Sequence, residues 1–414
     1  MNSSRLFTAS CVSLIVTAMS FALRNAALGD WVTQYHLTFE QVGWINSAAF
    51  LAYTLAMLFG GPLCDALGLG RIMGIAFVGH LVGIVLTICA WNFWSLWIAT
   101  LIFGIGNGSV EAACNPLIAT IYSSDKTTKL NHFHVWFPGG IVIGGVLSYL
   151  MGRAGLGWRI QFGTMLIPAA IYGILFVRQA FPRTERVQLG VSTGSMFAAC
   201  FNPWFILMVL CMLLTASTEL GPQTWIPNVL TNAGVPGILV LVWITGIMAV
   251  GRQCAGTFVH RLSPLGMLLM SATLSGLGLY AMSQSAGGML YVSATVFALG
   301  VCFFWPTMLG YVSETFQKTG ALGLAIMGGA GMFSVSLILP VIGRSYDKGI
   351  ALRLPPGADP ALASPAIQAA AGLHTLGRVA VLPVVLFVVF AFLLLVRRNH
   401  RPVLVQGAPE PAKS

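Results

Sequence analysis

Twelve times along the chain, the sequence returns to a run of about 20 mostly apolar residues. A helix of about 20 residues is long enough to cross the hydrocarbon core of a bilayer. Only 8% of the residues are charged, against about 25% in soluble domains. A membrane β-barrel would show short strands of alternating polarity, whereas these apolar runs are continuous. The sequence therefore predicts an all-α membrane protein with twelve transmembrane helices.

The predicted spans form two groups of six. We place them at residues 6–29, 42–63, 72–91, 94–121, 132–152, 161–181, 203–229, 237–260, 264–284, 287–313, 320–343 and 374–397. This organisation predicts an N-terminal six-helix bundle (1–181), a cytoplasmic central loop (182–202), a C-terminal six-helix bundle (203–397) and a cytoplasmic tail (398–414). A second long connection, 344–373, is rich in Pro and Ala, and we expect an outer loop with room for a short surface helix.

Lysine and arginine are distributed unevenly between the two sides of the predicted bundle. Thirteen lie on the side that holds both termini and six on the other side. Because cytoplasmic loops carry an excess of these residues, we expect both termini in the cytoplasm. The expected setting is a bacterial inner (plasma) membrane.

The two groups of spans repeat some of their features. Asn115-Pro116 in the fourth span corresponds to Trp305-Pro306 in the tenth, 190 residues later. The glycine pair 139–140 corresponds to the pair 328–329 at nearly the same offset. Two parallel six-helix repeats are a known transporter plan, in which the substrate site lies near the bilayer midplane between them.

Several other classes of function have no support in the sequence. It contains no phosphate-binding loop of the form G-x-x-x-x-G-K-[ST], no zinc-ligand spacing and no nucleophile elbow. The net charge of +10 comes from scattered single cations, so nucleic acid is not expected as a partner. We therefore expect a chain that is not an enzyme, that needs no cofactor or metal and that works as a monomer.

A glycine-rich loop follows the second span. It holds Gly61, Asp65, Gly68 and Arg71, and it resembles the signature loop of the major facilitator superfamily, G-x-L-x-D-x-x-G-x-x-[RK]. Glycine lets helix ends approach closely and turn sharply. The resemblance implies a gating role for these four residues. The basic residue that usually follows the acid is Ala66 here, which leaves Arg71 as the cation of the motif.

Spans four and five carry a narrower resemblance. The run 106–116 places Glu111 before Asn115-Pro116, and Leu130-Asn131 opens the next span. This pattern is similar to the fucose–galactose–glucose:proton symporter family. In that family an acid in helix one helps to couple protons, and Asn25 stands at that position here.

Four charged residues lie inside predicted spans: Arg24, Glu111, Glu219 and Arg252. A charge at the bilayer centre costs about 2.5–3.5 kcal/mol, so such residues are candidates for function. For Glu111 we favour proton coupling, with sugar binding or a salt bridge to Arg24 as alternatives. For Glu219 we favour substrate binding, with proton coupling or structural pairing as alternatives. Arg24 is expected to pair with one of these acids, with binding of an anionic substrate or snorkelling outward as alternatives, and Arg252 is expected to pair or to serve a gate.

The seventh span contains Gly221-Pro222, and we expect this pair to break the helix beside Glu219. Amide groups can bind sugar hydroxyls, and aromatic rings can cover the C–H face of a sugar. The candidate substrate-binding residues are Arg24, Asn25, Asn115, His134, Glu219, Gln223, Trp225 and Trp305.

These observations favour a secondary active transporter that works by alternating access. The resemblance implies proton-coupled uptake of a monosaccharide or a related small polar solute. Sodium in place of protons stays open, because carboxylates serve both ions. Two alternatives are proton-coupled efflux of a drug-like or metabolite substrate, and a membrane sensor that does not transport.

Overall fold

The structure is a computed structural model that describes residues 2–122, 126–183, 198–253, 262–356, 358–360 and 363–399. These residues are almost entirely helical. The helices are α1 (Ser3–Tyr35), α2 (Phe39–Leu67), α3 (Leu69–Ile88), α4 (Phe93–Ile121), α5 (Lys126–His134), α6 (Trp136–Arg153), α7 (Trp158–Gly163), α8 (Leu166–Phe176), α9 (Pro203–Asn232), α10 (Gly237–Gln253), α11 (Pro264–Gln284), α12 (Met289–Val301), α13 (Phe304–Thr315), α14 (Gly320–Ala351), α15 (Pro365–Val379) and α16 (Val381–Asn399).

Among these residues, eleven helical segments are long and apolar enough to cross a membrane, and α10 is a shorter apolar helix. The prediction of an all-α membrane protein with twelve spans is confirmed. Four spans consist of two consecutive helices each, α5–α6, α7–α8, α12–α13 and α15–α16. Most of the predicted central loop (184–197) and the predicted tail from 400 onward lie outside the described residues.

The predicted outer loop at 344–373 is too long at both ends, and the connection spans only 352–364. Helix α14 continues to Ala351, and α15 already begins at Pro365. The polar run from Arg344 to Gly349 is helical because one face of it is covered: Tyr346 is 1% exposed and Ile350 is 3% exposed. Tertiary burial thus overrides the polar composition that suggested a loop.

We call the helices α1–α8 the N-terminal half and α9–α16 the C-terminal half. The halves meet mainly along three helix pairs: α2 with α14, α6 with α10, and α1 with α9. We call the side where α1 begins the terminal side, and the side where α1 ends at Tyr35 the distal side. At Gly43 of α2, a Cβ atom would lie 2.7 Å from the backbone of Leu339 and Pro340. Only glycine permits so close an approach of α2 and α14.

The glycine-rich loop predicted from the sequence joins α2 to α3. Gly68 closes α2 with φ of +88° and directly precedes α3. A positive φ favours glycine, which explains this residue in the motif. The Arg71 side chain donates back to the Leu67 carbonyl at 3.3 Å. The side chain of Asp65 lies outside the described part of the structure.

Candidate functional site

The structure brings Glu111, Asn115 and His134 together in the N-terminal half. Asn115 lies one helical turn after Glu111 on α4 and donates to its carboxylate through Nδ2 at 2.9 Å. Nε2 of His134, at the end of α5, lies 3.0 Å from the Asn115 Oδ1. The His134 Nδ1 is 4.0 Å from the other carboxylate oxygen of Glu111. Three residues that the sequence indicated separately thus form one hydrogen-bonded cluster.

This cluster leads from a buried acid to a more exposed imidazole. Glu111 is 7% exposed, whereas the His134 side chain is 43% exposed. Since Asn115 Nδ2 donates to the carboxylate, its Oδ1 accepts the proton of His134 Nε2. Tyr53 of α2 is buried and interacts with the same carboxylate. The arrangement suits a carboxylate that exchanges a proton by way of His134.

Glu219 pairs with Arg252 in the C-terminal half. The Arg252 Nη2 lies 3.1 Å from the Glu219 Oε1, and its Nε donates to the Cys302 carbonyl. The second oxygen of Glu219 is buried with no hydrogen-bond partner. The pairing expected for Arg252 is therefore formed, and its partner is Glu219.

Arg24 pairs with neither of the two acids considered from the sequence. It is 3% exposed, and its Nε donates to the Ser20 carbonyl of its own helix at 3.1 Å. The guanidinium lies over the rings of Phe21 and Phe50, 5.1 and 5.9 Å from their centroids. Its Nη1 is buried with no hydrogen-bond partner.

The predicted helix break at Gly221-Pro222 is wrong, because α9 runs unbroken from Pro203 to Asn232 through Pro222 and Pro227. A proline has no N–H, so it leaves the carbonyl four residues earlier without its helical donor. For Pro227 that carbonyl belongs to Gln223, and Asn25 of α1 donates to it through Nδ2 at 3.3 Å. The side-chain amide of Gln223 lies 3.6 Å from the Met248 sulfur.

A second helix-interior proline has the same effect between α2 and α14. Pro340 frees the carbonyl of Ser336, and the Ser47 hydroxyl of α2 donates to it. Nearer the middle of the bundle, Thr54 donates to the Gly329 carbonyl at 3.3 Å. Carbonyls left free by prolines thus accept hydrogen bonds from the other half at two helix pairs, α1 with α9 and α2 with α14.

The distal end of α2 is capped by an acid from the other half. The Asp347 carboxylate of α14 accepts the N–H of Phe39 at 3.0 Å and that of Glu40 at 2.8 Å. Glu40 also pairs with Arg344. A carboxylate at a helix N-terminus is stabilised both by the free N–H groups and by the helix dipole.

Three aromatic residues fill the space beside this cap. Phe39 and Tyr346 stack with centroids 4.1 Å apart, and the Trp225 ring meets both edge-on at 5.9 and 6.2 Å. We call Phe39, Trp225 and Tyr346 the aromatic plug. It closes the distal side between α2, α9 and α14. Trp225, a substrate-binding candidate from the sequence, lies in this plug and more than a helical turn beyond Glu219.

Trp305 is the second residue of α13 and is half-buried beside the contact between the halves. A Cβ atom at Gly331 of α14 would lie 2.9 Å from the Trp305 ring, so the ring packs flush against the glycine. A Cβ at Gly328 would lie 4.0 Å from the same ring and 3.1 Å from the Met57 side chain. Trp305 therefore borders the contact of α2 with α14.

Sequence reasoning did not find Asp347, Ser47 or Tyr53. Asp347 fell in the predicted outer loop, and Ser47 and Tyr53 lie in a span without nearby charges. Pro340 gives a usable signal, because a proline inside a span predicts a free carbonyl four residues earlier.

Two six-helix halves that meet along the span pairs first–seventh, second–eleventh and fifth–eighth, with buried charges in each half, define a membrane transporter. Residues 10–339 match the family model described as the Major Facilitator Superfamily. The chain belongs to this superfamily.

Curated relatives in this superfamily are distant. A D-xylose transporter of Levilactobacillus brevis is 28% identical over 159 residues, which is 38% of this chain and 33% of that protein. A 3-(3-hydroxy-phenyl)propionate transporter of Escherichia coli K12 is 26% identical over 318 residues, 72% of this chain and 77% of that protein. The chain thus aligns with a third of the length of the first relative and about three quarters of the second.

Solved structures agree on the fold. A crystal structure of a D-xylose–proton symporter superposes with a TM-score of 0.75 at 14% identity and covers 92% of this chain and 97% of that one. A partially occluded, inward-open structure of the xylose transporter XylE from E. coli gives a TM-score of 0.74 at 13% identity, over 98% and 99% of the two chains. At this identity the likeness shows the fold.

Proposed function

We propose that the protein is a proton-coupled uptake transporter for a monosaccharide or a related small hydroxylated solute, working by alternating access. The observation that carries the proposal is the cluster in which buried Glu111 lies 4.0 Å from the half-exposed His134, with Asn115 hydrogen-bonded to both. Within the described ranges Glu111 has no Lys or Arg partner, and a carboxylate of this kind beside an imidazole is suited to taking up and releasing a proton.

We place both termini in the cytoplasm, because the terminal side carries most of the lysines and arginines. The distal side is then external, and the structure represents the state that is closed to the outside. His134 lies at the terminal-side start of the fifth span, so we expect protons to reach Glu111 from the cytoplasm in this state. We also propose a bacterial inner membrane and a monomer as the working unit.

In the proposed cycle, protonation of Glu111 removes its charge, which changes its hydrogen bond with Asn115 and its interaction with Tyr53. Solute binding in the middle of the bundle then allows the two halves to rock. The distal cap and the aromatic plug open to the outside while the terminal side closes. The membrane potential contributes about 2.3 kcal/mol per charge per 100 mV.

The candidate residues take three roles in this proposal. Arg24, Asn25, Asn115, Gln223 and Trp305 bind solute or position groups around it. Glu219 is held by Arg252, which favours structural pairing, and its unpartnered oxygen leaves it an acceptor for a solute hydroxyl. We assign Trp225 to closure of the distal side, and Gly61, Asp65, Gly68 and Arg71 to gating on the terminal side.

The names of two relatives support a proposal for the solute class. One is named for D-xylose, a neutral sugar, and the other for 3-(3-hydroxy-phenyl)propionate, an aromatic acid with a hydroxyl group. The feature common to both compounds is a small hydroxylated carbon skeleton. We propose this class for the present chain.

Uptake into proteoliposomes tests the proposal. The panel consists of labelled monosaccharides, their acids and 3-(3-hydroxy-phenyl)propionate, each measured with and without an inwardly directed proton gradient. We expect gradient-stimulated accumulation of at least one compound, and collapse of the gradient by a protonophore to abolish it. Stimulation by a sodium gradient alone would contradict proton coupling. Absence of uptake across the panel would contradict the solute class and the direction.

A further inference from the structure

Arg24 is a buried charge, and within the described ranges it has no ion-pair partner. Of the other charged residues that the sequence singles out inside the spans, Glu219 and Arg252 pair with each other, and Glu111 lies 4.0 Å from His134. Among the residues whose side chains the structure describes, no carboxylate lies within 4.0 Å of Arg24. Burial of an unpaired charge costs several kcal/mol, so a residue of this kind is retained where a ligand compensates it.

The surroundings of the guanidinium favour an anionic ligand. The rings of Phe21 and Phe50 cover it and exclude water, which strengthens any charge–charge contact made there. One donor nitrogen is occupied by the Ser20 carbonyl, while Nη1 is buried and has no partner. A planar guanidinium with a free donor matches the geometry of a carboxylate.

Two neutral polar groups without partners lie on the same helix faces as Arg24 and Phe50. The Thr17 hydroxyl is seven residues before Arg24 on α1, which places both on one face. The Asn46 Oδ1 is one turn from Phe50 on α2. Both are 1% exposed or less. Unpartnered buried groups of this kind suit a ligand that carries hydroxyls.

One face of α2 extends from Phe50, which lies beside Arg24 of α1, to the proposed proton site. Asn46, Phe50 and Tyr53 follow at helical spacing, and Tyr53 interacts with Glu111. Seven residues of helix span about 10 Å. A small solute lying along this face would therefore have an anion-binding residue at one end and the titratable acid near the other.

From these contacts we infer that the transported solute carries a carboxylate and that Arg24 binds it. The inference rests on the proposed function and narrows its solute to hydroxylated monocarboxylates such as sugar acids. It also sets the charge balance: one monoanion moved with one proton carries no net charge. Uptake of such a solute follows the pH gradient and is insensitive to the membrane potential, whereas symport of a neutral sugar with a proton responds to both.

The test uses the purified full-length protein and pairs of compounds that differ only in charge. Each acid is compared with its primary amide: D-gluconate with D-gluconamide, D-xylonate with D-xylonamide, and 3-hydroxybenzoate with 3-hydroxybenzamide. Affinity is measured by the ligand-dependent shift of the melting temperature. We expect one acid to bind at least about tenfold more tightly than its amide, since a charge-assisted contact is lost in the amide.

Substitutions at Arg24 test whether this residue causes the tighter binding of the acid. Arg24→Gln is expected to weaken binding of the acid about 10- to 100-fold and to leave the amide unchanged, which abolishes the preference. Arg24→Lys keeps the positive charge but lacks the planar guanidinium, and it is expected to retain part of the preference for the acid over the amide. Arg153→Gln removes the same charge at an exposed helix end and should leave the preference intact.

The outcomes separate the inference from the proposed function. Amides or neutral sugars that bind as tightly as the acids overturn the inference, as does an Arg24→Gln protein that folds and keeps the preference. Gradient-driven uptake of a neutral sugar that depends on the membrane potential overturns the inference and leaves the proposed function standing. Binding of an acid through Arg24 without any response to a proton gradient supports the inference and overturns proton coupling. Failure of every compound to bind overturns both.

Discussion

Asn25 of α1 donates a hydrogen bond to the carbonyl of Gln223 in α9, at 3.3 Å, and that carbonyl is free because Pro227 has no N–H to offer it. The bond joins the two halves on the distal side of the middle of the bundle. Asn25 stands where the resembled symporter family carries an acid in helix one. The residue that departs from that pattern therefore forms a hydrogen bond between the halves here.

Pro227→Ala tests this relationship. The new N–H should bond with the Gln223 carbonyl inside α9 and compete with Asn25 for it. Loss of one neutral hydrogen bond, about 1 kcal/mol, would shift the equilibrium between closed and open distal states about fivefold. We expect faster hydrogen exchange in peptides covering residues 36–45 and 340–350. Pro203→Ala is the matched control, since a proline at the first position of α9 frees no carbonyl. Equal hydrogen-exchange rates in Pro227→Ala and Pro203→Ala would show that the free Gln223 carbonyl does not stabilise the closed distal side.

Asp347 offers a second test of distal closure. Asp347→Ala removes the acceptor of two α2 N–H groups, and loss of a helix cap costs about 1–2 kcal/mol. Hydrogen exchange at residues 39–41 should accelerate several-fold to 30-fold. Glu40→Gln breaks only the pair with Arg344, whose side chain is 58% exposed, so its effect should stay below about 1 kcal/mol. A larger effect of Glu40→Gln than of Asp347→Ala would contradict the capping role.

The pair of buried Glu219 and partly exposed Arg252 should behave as a unit. Arg252→Gln leaves the buried Glu219 carboxylate uncompensated, which costs about 3–5 kcal/mol of unfolding free energy. Glu219→Gln leaves Arg252 unpaired and should cost less, since the Arg252 side chain is 23% exposed. The double variant should recover much of that loss. Thermal unfolding in detergent, with Arg153→Gln as a surface-charge control, measures the coupling. Additive losses in the double variant would show that the 3.1 Å contact contributes little.

Part of this architecture follows directly from the sequence. The length of the apolar runs predicts the spans, and the cost of charge in lipid singles out Arg24, Glu111, Glu219 and Arg252. Their partners depend on how each helix is rotated about its axis, which apolar periodicity does not define when most faces are apolar. Hence Arg252, 33 residues away, was not identified as the partner of Glu219.

The two incorrect expectations have the same physical origin. Gly221-Pro222 and the polar run 344–349 are local signals for a break and a loop. In the folded protein, packing outweighs both. Pro222 and Pro227 lie in a buried helix held by its neighbours, and the run 344–349 is helical because α2 and α15 cover one side of it. Asp347 was overlooked for this reason, although it provides the clearest contact between the halves.

We propose that Glu111 carries the coupled proton, and two assays on one variant test this role. In proteoliposomes, Glu111→Gln should lose accumulation driven by a proton gradient while retaining exchange of labelled for unlabelled solute, because exchange needs no net proton movement. Glu40→Gln, which changes a partly exposed carboxylate, should retain both activities. Loss of exchange together with accumulation would assign Glu111 to solute binding or to folding. Gradient-driven accumulation that survives in Glu111→Gln would contradict the claim.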